Sequence, residues 1–271
     1  MLVKIQYTIE SLKKRGLKRT SLIALSYLID RYFDVKYKTD TCSWVGLDEL
    51  AVDHRKKKHA FSYQQTHAVP LRKLLRKLKI PPGKVLVDLG CGKGRVPLVA
   101  SEFGFKETRG IELCPNLCDV AIKNFAIYRE KTQTNTNFVI VNKDVIDYEI
   151  KDDEEIFFLF NPFDNHVLEK FLQNVKDSLH RRNRGIWIIY RNARYRETIE
   201  TTMNVTKVME FISWGQDFVV FNVKQDAELI QVQQNIEIKR PRNISGKNAI
   251  AIVAVWRVIE MLRVTEMLSV I

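Results

Sequence analysis

The chain has 271 residues, 45% hydrophobic and 28% charged, with a formal net charge of +12. That length suits one α/β domain with appendages, and the composition permits a sizeable core while arguing against a membrane-spanning chain. The basic excess is local: residues 1–84 hold 19 Lys/Arg against 7 Asp/Glu, whereas residues 85–271 hold 25 of each sign.

Such a basic region is expected either to attract an anionic partner (RNA, an acidic protein or a membrane surface) or to form a solvated helical face. The four cysteines are Cys42, Cys91, Cys114 and Cys118. Nothing in Met1–Glu10 resembles a signal peptide, so a reducing, cytoplasmic compartment is expected. Cys114 and Cys118 stand one helical turn apart, but no second Cys/His pair with ligand spacing accompanies them. They read as buried packing, with no metal expected.

Residues 2–33 read as an amphipathic helix, with Leu22, Leu25, Leu28, Ile29 and Phe33 apolar and Lys13, Lys14, Arg15, Lys18 and Arg19 polar. Gly16 is expected to break or bend it. Residues 40–68 look irregular, with a basic stretch at Arg55–His59. Leu71–Ile80 reads as a short basic helix ended by Pro81-Pro82-Gly83. Strands and helices then alternate: strands at Lys84–Leu89, Glu107–Leu113, Asn137–Asn142, Glu155–Asn161 and Gly185–Arg191, helices at Arg95–Phe103, Pro115–Arg129 and Asn165–His180. Apolar strands separated by helices predict a parallel sheet buried on both faces. Val208–Trp214 and Asp217–Val223, joined by a tight Gly215-Gln216 turn, predict an antiparallel pair. The expected architecture is a seven-stranded, mostly parallel α/β sheet with helices on both faces, a C-terminal antiparallel hairpin strand and a basic helical N-terminal extension. Expected divisions are residues 1–60, 61–224 and 225–271, the last with an amphipathic helix from Asn248.

The strongest motif is VLVDLGCGKGRV at Val85–Val96. It runs from strand through a glycine-rich turn into a helix. Gly90, Gly92 and Gly94 permit a sharp turn and close ligand approach, and a helix N-terminus favours an anionic group. Asp88 ends the strand, where ligands of open α/β sheets bind. A dinucleotide fingerprint would need GxGxxG, but Arg95 occupies the third glycine's place, and P-loop spacing is absent. Glu112 ends the second strand, in GIEL, and Asp144 follows the third, in VNKDV. Carboxylates at three successive strand ends suit an ammonium, a ribose and an adenine amino group in turn.

These segments resemble the motifs of class I, Rossmann-like S-adenosylmethionine-dependent methyltransferases over roughly residues 61–224. More narrowly, the chain resembles uncharacterised bacterial methyltransferase-domain proteins that share Tyr-x-x-Thr, DLGSGKGR and FNPF motifs. Here those read Tyr63–Thr66, Asp88–Arg95 and Phe160–Phe163, with Cys91 replacing the usual Ser. The glycine loop also resembles, more distantly, that of Rossmann-type histone lysine methyltransferases. The resemblance implies S-adenosylmethionine as cofactor, held by Asp88, the loop glycines, Glu112, Asp144 and Asn161. It also implies that Tyr63 and Thr66 come from a segment folding over it.

At the fourth strand's end, Asn161-Pro162-Phe163 has the polar residue and ring of amino-group methyltransferases but lacks their second Pro. Asn161 and Phe163 are the candidate acceptor-side residues, and Phe163 is equally readable as core. Tyr190 and Asn192 are further candidates for the same pocket. A hydroxyl acceptor usually needs a general base, and His67 and His166 are the nearest histidines by sequence. The balance favours a nitrogen acceptor in a protein or small metabolite. An RNA methyltransferase using the basic N-terminal region and a non-catalytic cofactor-binding scaffold are the alternatives. On this reading, deleting residues 1–40 leaves cofactor affinity nearly intact.

Overall fold

The computed structural model describes residues 2–46 and 63–224, with side chains from Arg19 onward. The Arg55–His59 stretch and the helix expected from Asn248 lie outside the described residues. All described residues belong to one compact unit, Met1–Gln225.

Helix α1 spans Leu2–Tyr37 without interruption at Gly16. One interior glycine costs only about 1 kcal/mol relative to alanine, too little to break so long a helix. Helix α2 (Ala68–Leu78) buries Leu71, Leu74, Leu75 and Leu78 on one face. Strand β1 (Val85–Leu89) is buried throughout. Helix α3 (Arg95–Ala100) is short and continues as a 3-10 turn to Phe103. Next come β2 (Glu107–Glu112), α4 (Pro115–Thr132), β3 (Asn137–Asn142), β4 (Glu154–Leu159), α5 (Asn165–Arg181) and β5 (Ile186–Arg191). Helix α6 (Arg196–Thr202), unanticipated in the sequence, precedes β6 (Val205–Ser213) and β7 (Gln216–Val223).

The seven strands order as β3-β2-β1-β4-β5-β7-β6. The first five are parallel, and β7 runs antiparallel to both β5 and β6. This is the expected sheet. The β6–β7 turn is Trp214-Gly215 instead of Gly215-Gln216, and both residues have positive φ (50° and 71°), as two-residue hairpins favour.

Alternate strand residues feed two cores. Val85, Val87, Leu89, Phe157 and Leu159 pack with α5, where Phe171, Leu172 and Val175 are buried. Leu86, Ile156, Phe158 and Ile189 pack under α2, α3 and α4, and Phe33 of α1 joins that side. The strand order reverses direction at β1 and β4, so their C-terminal ends diverge to leave a crevice.

The C-terminal half of α1 is anchored to this body. Arg95, 1% exposed, pairs with Asp30 (3.3 Å) and Asp34 (3.1 Å) of α1 and stacks its guanidinium on Phe33. Asp34 also accepts from the backbone N–H groups of Thr41 and Cys42 and from two threonine hydroxyls, Thr39 and Thr41. Asp30 accepts the backbone N–H of Ala68 at the start of α2 and contacts His67 Nδ1 at 2.5 Å. Burial lowers the His67 pKa. We therefore assign a neutral ring that donates to Asp30.

Candidate functional site

A cavity of about 430 Å³ opens at the C-terminal ends of β1, β2 and β4, within the size range of small-molecule sites. Asp88, Gly90, Glu112, Asp144, Asn161 and Phe163 line it, and so do Tyr63 and Thr66 from the segment before α2. The chain thus brings together groups drawn from positions 63 to 163.

Gly92 and Gly94 are not in the lining. A Cβ on Gly92 would sit 2.1 Å from the Tyr63 ring, and one on Gly94 would sit 2.5 Å from the Phe125 ring. Their smallness serves packing behind the loop. Gly90 lies in the wall, and a Cβ there would meet Pro162 at 2.3 Å, so β1 and β4 close on each other at the loop's first turn.

Asp88 is 3% exposed and lines the cavity. Burial, reinforced by the neighbouring Glu112, holds its pKa well above the ordinary carboxylate value. A buried ionised carboxylate is costly unless a cation arrives. Glu112 is 8% exposed. Its two oxygens accept the backbone N–H groups of Gly92 (2.8 Å) and Cys114 (2.9 Å). Each carboxylate oxygen has a further acceptor site, so a ligand hydroxyl is still accommodated. Burial raises the Glu112 pKa, and those backbone bonds oppose the rise. Glu112→Ala would therefore disturb the glycine loop and the start of α4 as well as any ligand contact. Asp144 is half-buried and caps the turn at Val145–Asp147, accepting from Ile146 N–H at 3.3 Å.

Tyr63 and Thr66 are buried. The Tyr63 hydroxyl donates to the Thr41 carbonyl (2.8 Å), and its N–H donates to the Val45 carbonyl (3.1 Å). The Tyr63 ring, more than its hydroxyl, thus faces the cavity region. Sequence reasoning missed Gln65 between them: it is 3% exposed, lines the cavity, and its side-chain Nε2 has no partner.

Asn161 follows β4 with φ of 42°, and Asn192 follows β5 with φ of 51°. Asparagine tolerates this left-handed conformation better than most residues. Asn161 Nδ2 donates to the Asn192 carbonyl at 2.8 Å. That bond fixes the amide's orientation and leaves Oδ1 buried without a partner. Phe163 belongs both to the cavity wall and to the core beside α5. Asn192 lines the cavity, whereas Tyr190 is 1% exposed within the core and is absent from the lining. His166 lines the cavity; His67 does not and is committed to Asp30.

The arrangement offers carboxylates at Asp88, Glu112 and Asp144 for a cation and for hydroxyl groups, donor-bearing side chains at Gln65, Thr66, Lys143 and Arg194, and an amide at Asn161. A buried acid at Asp88 with a second carboxylate at Glu112 fits the ammonium of an amino-acid group carried on a nucleoside. No group of side chains suited to a metal ion is present among the described residues. No described helix is long and apolar enough to cross a membrane.

Comparison with known proteins points the same way. A family model described as "Histone methylation protein DOT1" matches residues 44–224. No curated protein matches the chain. Among solved structures it is similar to a TehB-like S-adenosylmethionine-dependent methyltransferase from Corynebacterium glutamicum, with 20% identity, 58% of this chain and 89% of that one covered, and a TM-score of 0.40. It is similar to a putative RNA methyltransferase from Pyrococcus horikoshii, with 20% identity, coverage of 67% and 93%, and a TM-score of 0.45. It is also similar to magnesium protoporphyrin IX methyltransferase from Synechocystis with bound S-adenosylmethionine, with 10% identity, coverage of 60% and 86%, and a TM-score of 0.42. The strand order carries the fold assignment independently of these superpositions. With two thirds of its length matched by the family model, the chain belongs to the DOT1 histone methylation protein family, as an S-adenosylmethionine-dependent methyltransferase.

Proposed function

We propose that the chain transfers a methyl group from S-adenosylmethionine to a nitrogen atom of a polypeptide. The observation that carries this reading is the Asn161 side chain. Its amide is fixed by the Asn192 carbonyl, and its Oδ1 stands buried and unpartnered in the cavity wall. A buried acceptor without a donor costs roughly 1–3 kcal/mol, a penalty relieved when a substrate N–H arrives. The family description, histone methylation, supports a protein acceptor.

The bound cofactor supplies an activated methyl group, so the chain's task is chiefly proximity and alignment. Asp88 would hold the amino-acid ammonium, Glu112 the ribose hydroxyls and Asp144 the adenine amino group. Asn161 Oδ1 accepts one N–H of the incoming neutral amine and turns the nitrogen lone pair toward the methyl group. Phe163 packs beside it and excludes water. The nitrogen would take the methyl as the methyl–sulfur bond breaks, S-adenosylhomocysteine would leave with the bonding pair, and the methylated nitrogen would lose one proton to solvent.

Asn161→Ala is expected to lower kcat by about 10²–10³-fold, the range for losing one positioned hydrogen-bonding group at a reacting centre. Cofactor affinity should change less than threefold or so, because an acceptor-side contact is not part of ground-state cofactor binding. Steady-state kinetics with calorimetry check this. Equal turnover by a folded Asn161→Ala protein would remove the residue from the acceptor site.

A further inference from the structure

We infer that the outward face of α1 is a membrane-surface site: an apolar stripe of Leu25, Leu28, Tyr32 and Val35, flanked by Arg31 and Lys36, that seats on an anionic phospholipid bilayer. None of these residues lines the cavity, so the inference is independent of the cofactor and of the acceptor proposed above.

From Arg19 onward α1 has two faces of opposite fate. Ser26, Asp30 and Phe33 are buried against the body, whereas Leu25 (44% exposed), Leu28 (65%), Tyr32 (67%) and Val35 (76%) are open to water. Steps of three, four and three residues align those four on one side of the helix. Exposed Ser21 and Ala24 continue the stripe. Tyr27, beside it, is engaged with the body: its ring meets His67 edge-on and its hydroxyl accepts from Gln64 at 3.0 Å. The charges sort the same way. The acids between Arg19 and Lys38 are Asp30 and Asp34, and both turn inward to Arg95. The exposed charged residues of that stretch are Arg31, Lys36 and Lys38, all cationic. Lys131 of α4 donates to the Lys36 carbonyl at 3.3 Å and adds another cation at the helix end. Just past the helix, Trp44 is 63% exposed.

The combination selects the partner. Large apolar side chains scattered singly over a surface are ordinary. An aligned row rimmed by cations is instead the pattern of a helix lying in a bilayer interface. There the aliphatic residues enter the acyl boundary, the Arg and Lys heads reach lipid phosphates, and Tyr and Trp sit at headgroup level. RNA fits this face less well: Leu25, Leu28 and Val35 occupy its middle and offer nothing to phosphates, which supply most nucleic-acid contacts. A second copy fits less well too. An isologous contact would set Arg31 and Lys36 against the same cations, with no exposed acid on the stripe to pair with them. Four side chains also fall far short of the roughly 20–30 residues a side of a stable interface. The helix would lie on the bilayer and not cross it, since no described helix is long and apolar enough to span one.

The test is co-sedimentation of the full chain with vesicles of phosphatidylcholine, alone or mixed with phosphatidylglycerol. At low salt the mixed vesicles should bind about tenfold or more tightly than the neutral ones. Leu28→Gln combined with Val35→Gln keeps the net charge, so it separates insertion from plain charge attraction. It should weaken binding to mixed vesicles by about tenfold or more, the worth of burying one such side chain. Its S-adenosylhomocysteine affinity should stay within about twofold of the original, since neither residue touches the cavity. Arg31→Gln combined with Lys36→Gln should narrow the difference between the two kinds of vesicle. Undiminished binding of mixed vesicles by the Leu28/Val35 variant would overturn the inference, leaving charge alone as the attraction. So would no binding of mixed vesicles by the unaltered chain, with or without RNA binding or self-association in their place. If the double variant also lost S-adenosylhomocysteine, the near-isosteric Val35→Thr would decide. Weaker vesicle binding with cofactor affinity kept supports the inference, and unchanged vesicle binding overturns it.

Discussion

Removal of residues 1–40 is expected to abolish cofactor binding, by unfolding the cavity's cover or the whole unit. This reverses the expectation from sequence, in which the basic N-terminal region is dispensable for the cofactor. The reason is Arg95. Its side chain is 2% exposed and its carboxylate partners, Asp30 and Asp34, both lie on α1. Deleting them leaves a buried guanidinium without compensation, a loss of about 3–5 kcal/mol when one partner of a buried pair is removed. That is a large share of the roughly 5–15 kcal/mol by which a domain is stable. The same deletion removes the acceptor for His67 and Ala68 N–H, and the Asp40 carboxylate that Lys93 holds at 2.9 Å. It thereby frees the segment that carries Tyr63, Gln65 and Thr66. Deleting residues 1–18 instead spares Arg19, which pairs with Asp217, and every contact described above. Thermal unfolding and S-adenosylhomocysteine calorimetry on the two truncations should separate them: near-normal behaviour for the shorter deletion, no binding for the longer. Normal cofactor affinity after removal of residues 1–40 would show that the Asp30–Arg95–Asp34 cluster is not part of the site's support.

Asp88→Asn is expected to move stability and binding in opposite directions. In the folded chain, burial and Glu112 raise the Asp88 pKa well above 3.8, its ordinary value. A raised pKa means that the folded chain holds this proton more tightly than the unfolded chain. The contribution to stability is therefore full below the ordinary value and is lost as pH rises through the raised folded value. Near neutral pH the ligand-free chain bears the burial cost of the ionised group, so Asp88→Asn should unfold at a higher temperature. Binding runs the other way. An ammonium needs the ionised carboxylate, so affinity for S-adenosylhomocysteine should climb with pH across the same window, with proton release on binding. Asp88→Asn should lower affinity by about 10- to 100-fold and reduce that pH dependence, leaving what Glu112 contributes. Calorimetry in buffers of different ionisation enthalpy, with thermal unfolding of both proteins, reads all of these effects. A destabilised Asp88→Asn protein with unaltered affinity would make Asp88 a structural residue.

The sheet was legible because its strands are largely apolar runs, such as Val85–Leu89, interrupted only by Asp88, and Ile186–Tyr190, punctuated by glycine and proline. The candidate cavity was legible in outline because its carboxylates sit at strand ends, and parallel topology gathers strand ends at one edge. What the sequence concealed were contacts between distant positions. Arg95 meets carboxylates more than 60 residues upstream, and no spacing rule relates them, so the basic N-terminal region looked separable by charge alone. Gln65 looked like a loop residue, and only its burial beside the cavity singles it out. The loop pattern called for small residues at Gly92 and Gly94 but did not show that the rings excluding a Cβ there belong to Tyr63 and Phe125. Helix α6, only seven residues long and rich in threonine, has too little periodicity to announce itself.

The acceptor claim is tested most directly by the chemistry of the product. The full chain would be incubated with methyl-labelled S-adenosylmethionine and a fractionated protein mixture, histones included, with a parallel RNA fraction. Labelled material would then be treated with alkali and hydrolysed for amino-acid analysis. The account predicts label in polypeptide that survives alkali and is recovered as an N-methylated amino acid, and its absence with Asn161→Ala. Label released by alkali as methanol, or incorporated into RNA and not polypeptide, would contradict it.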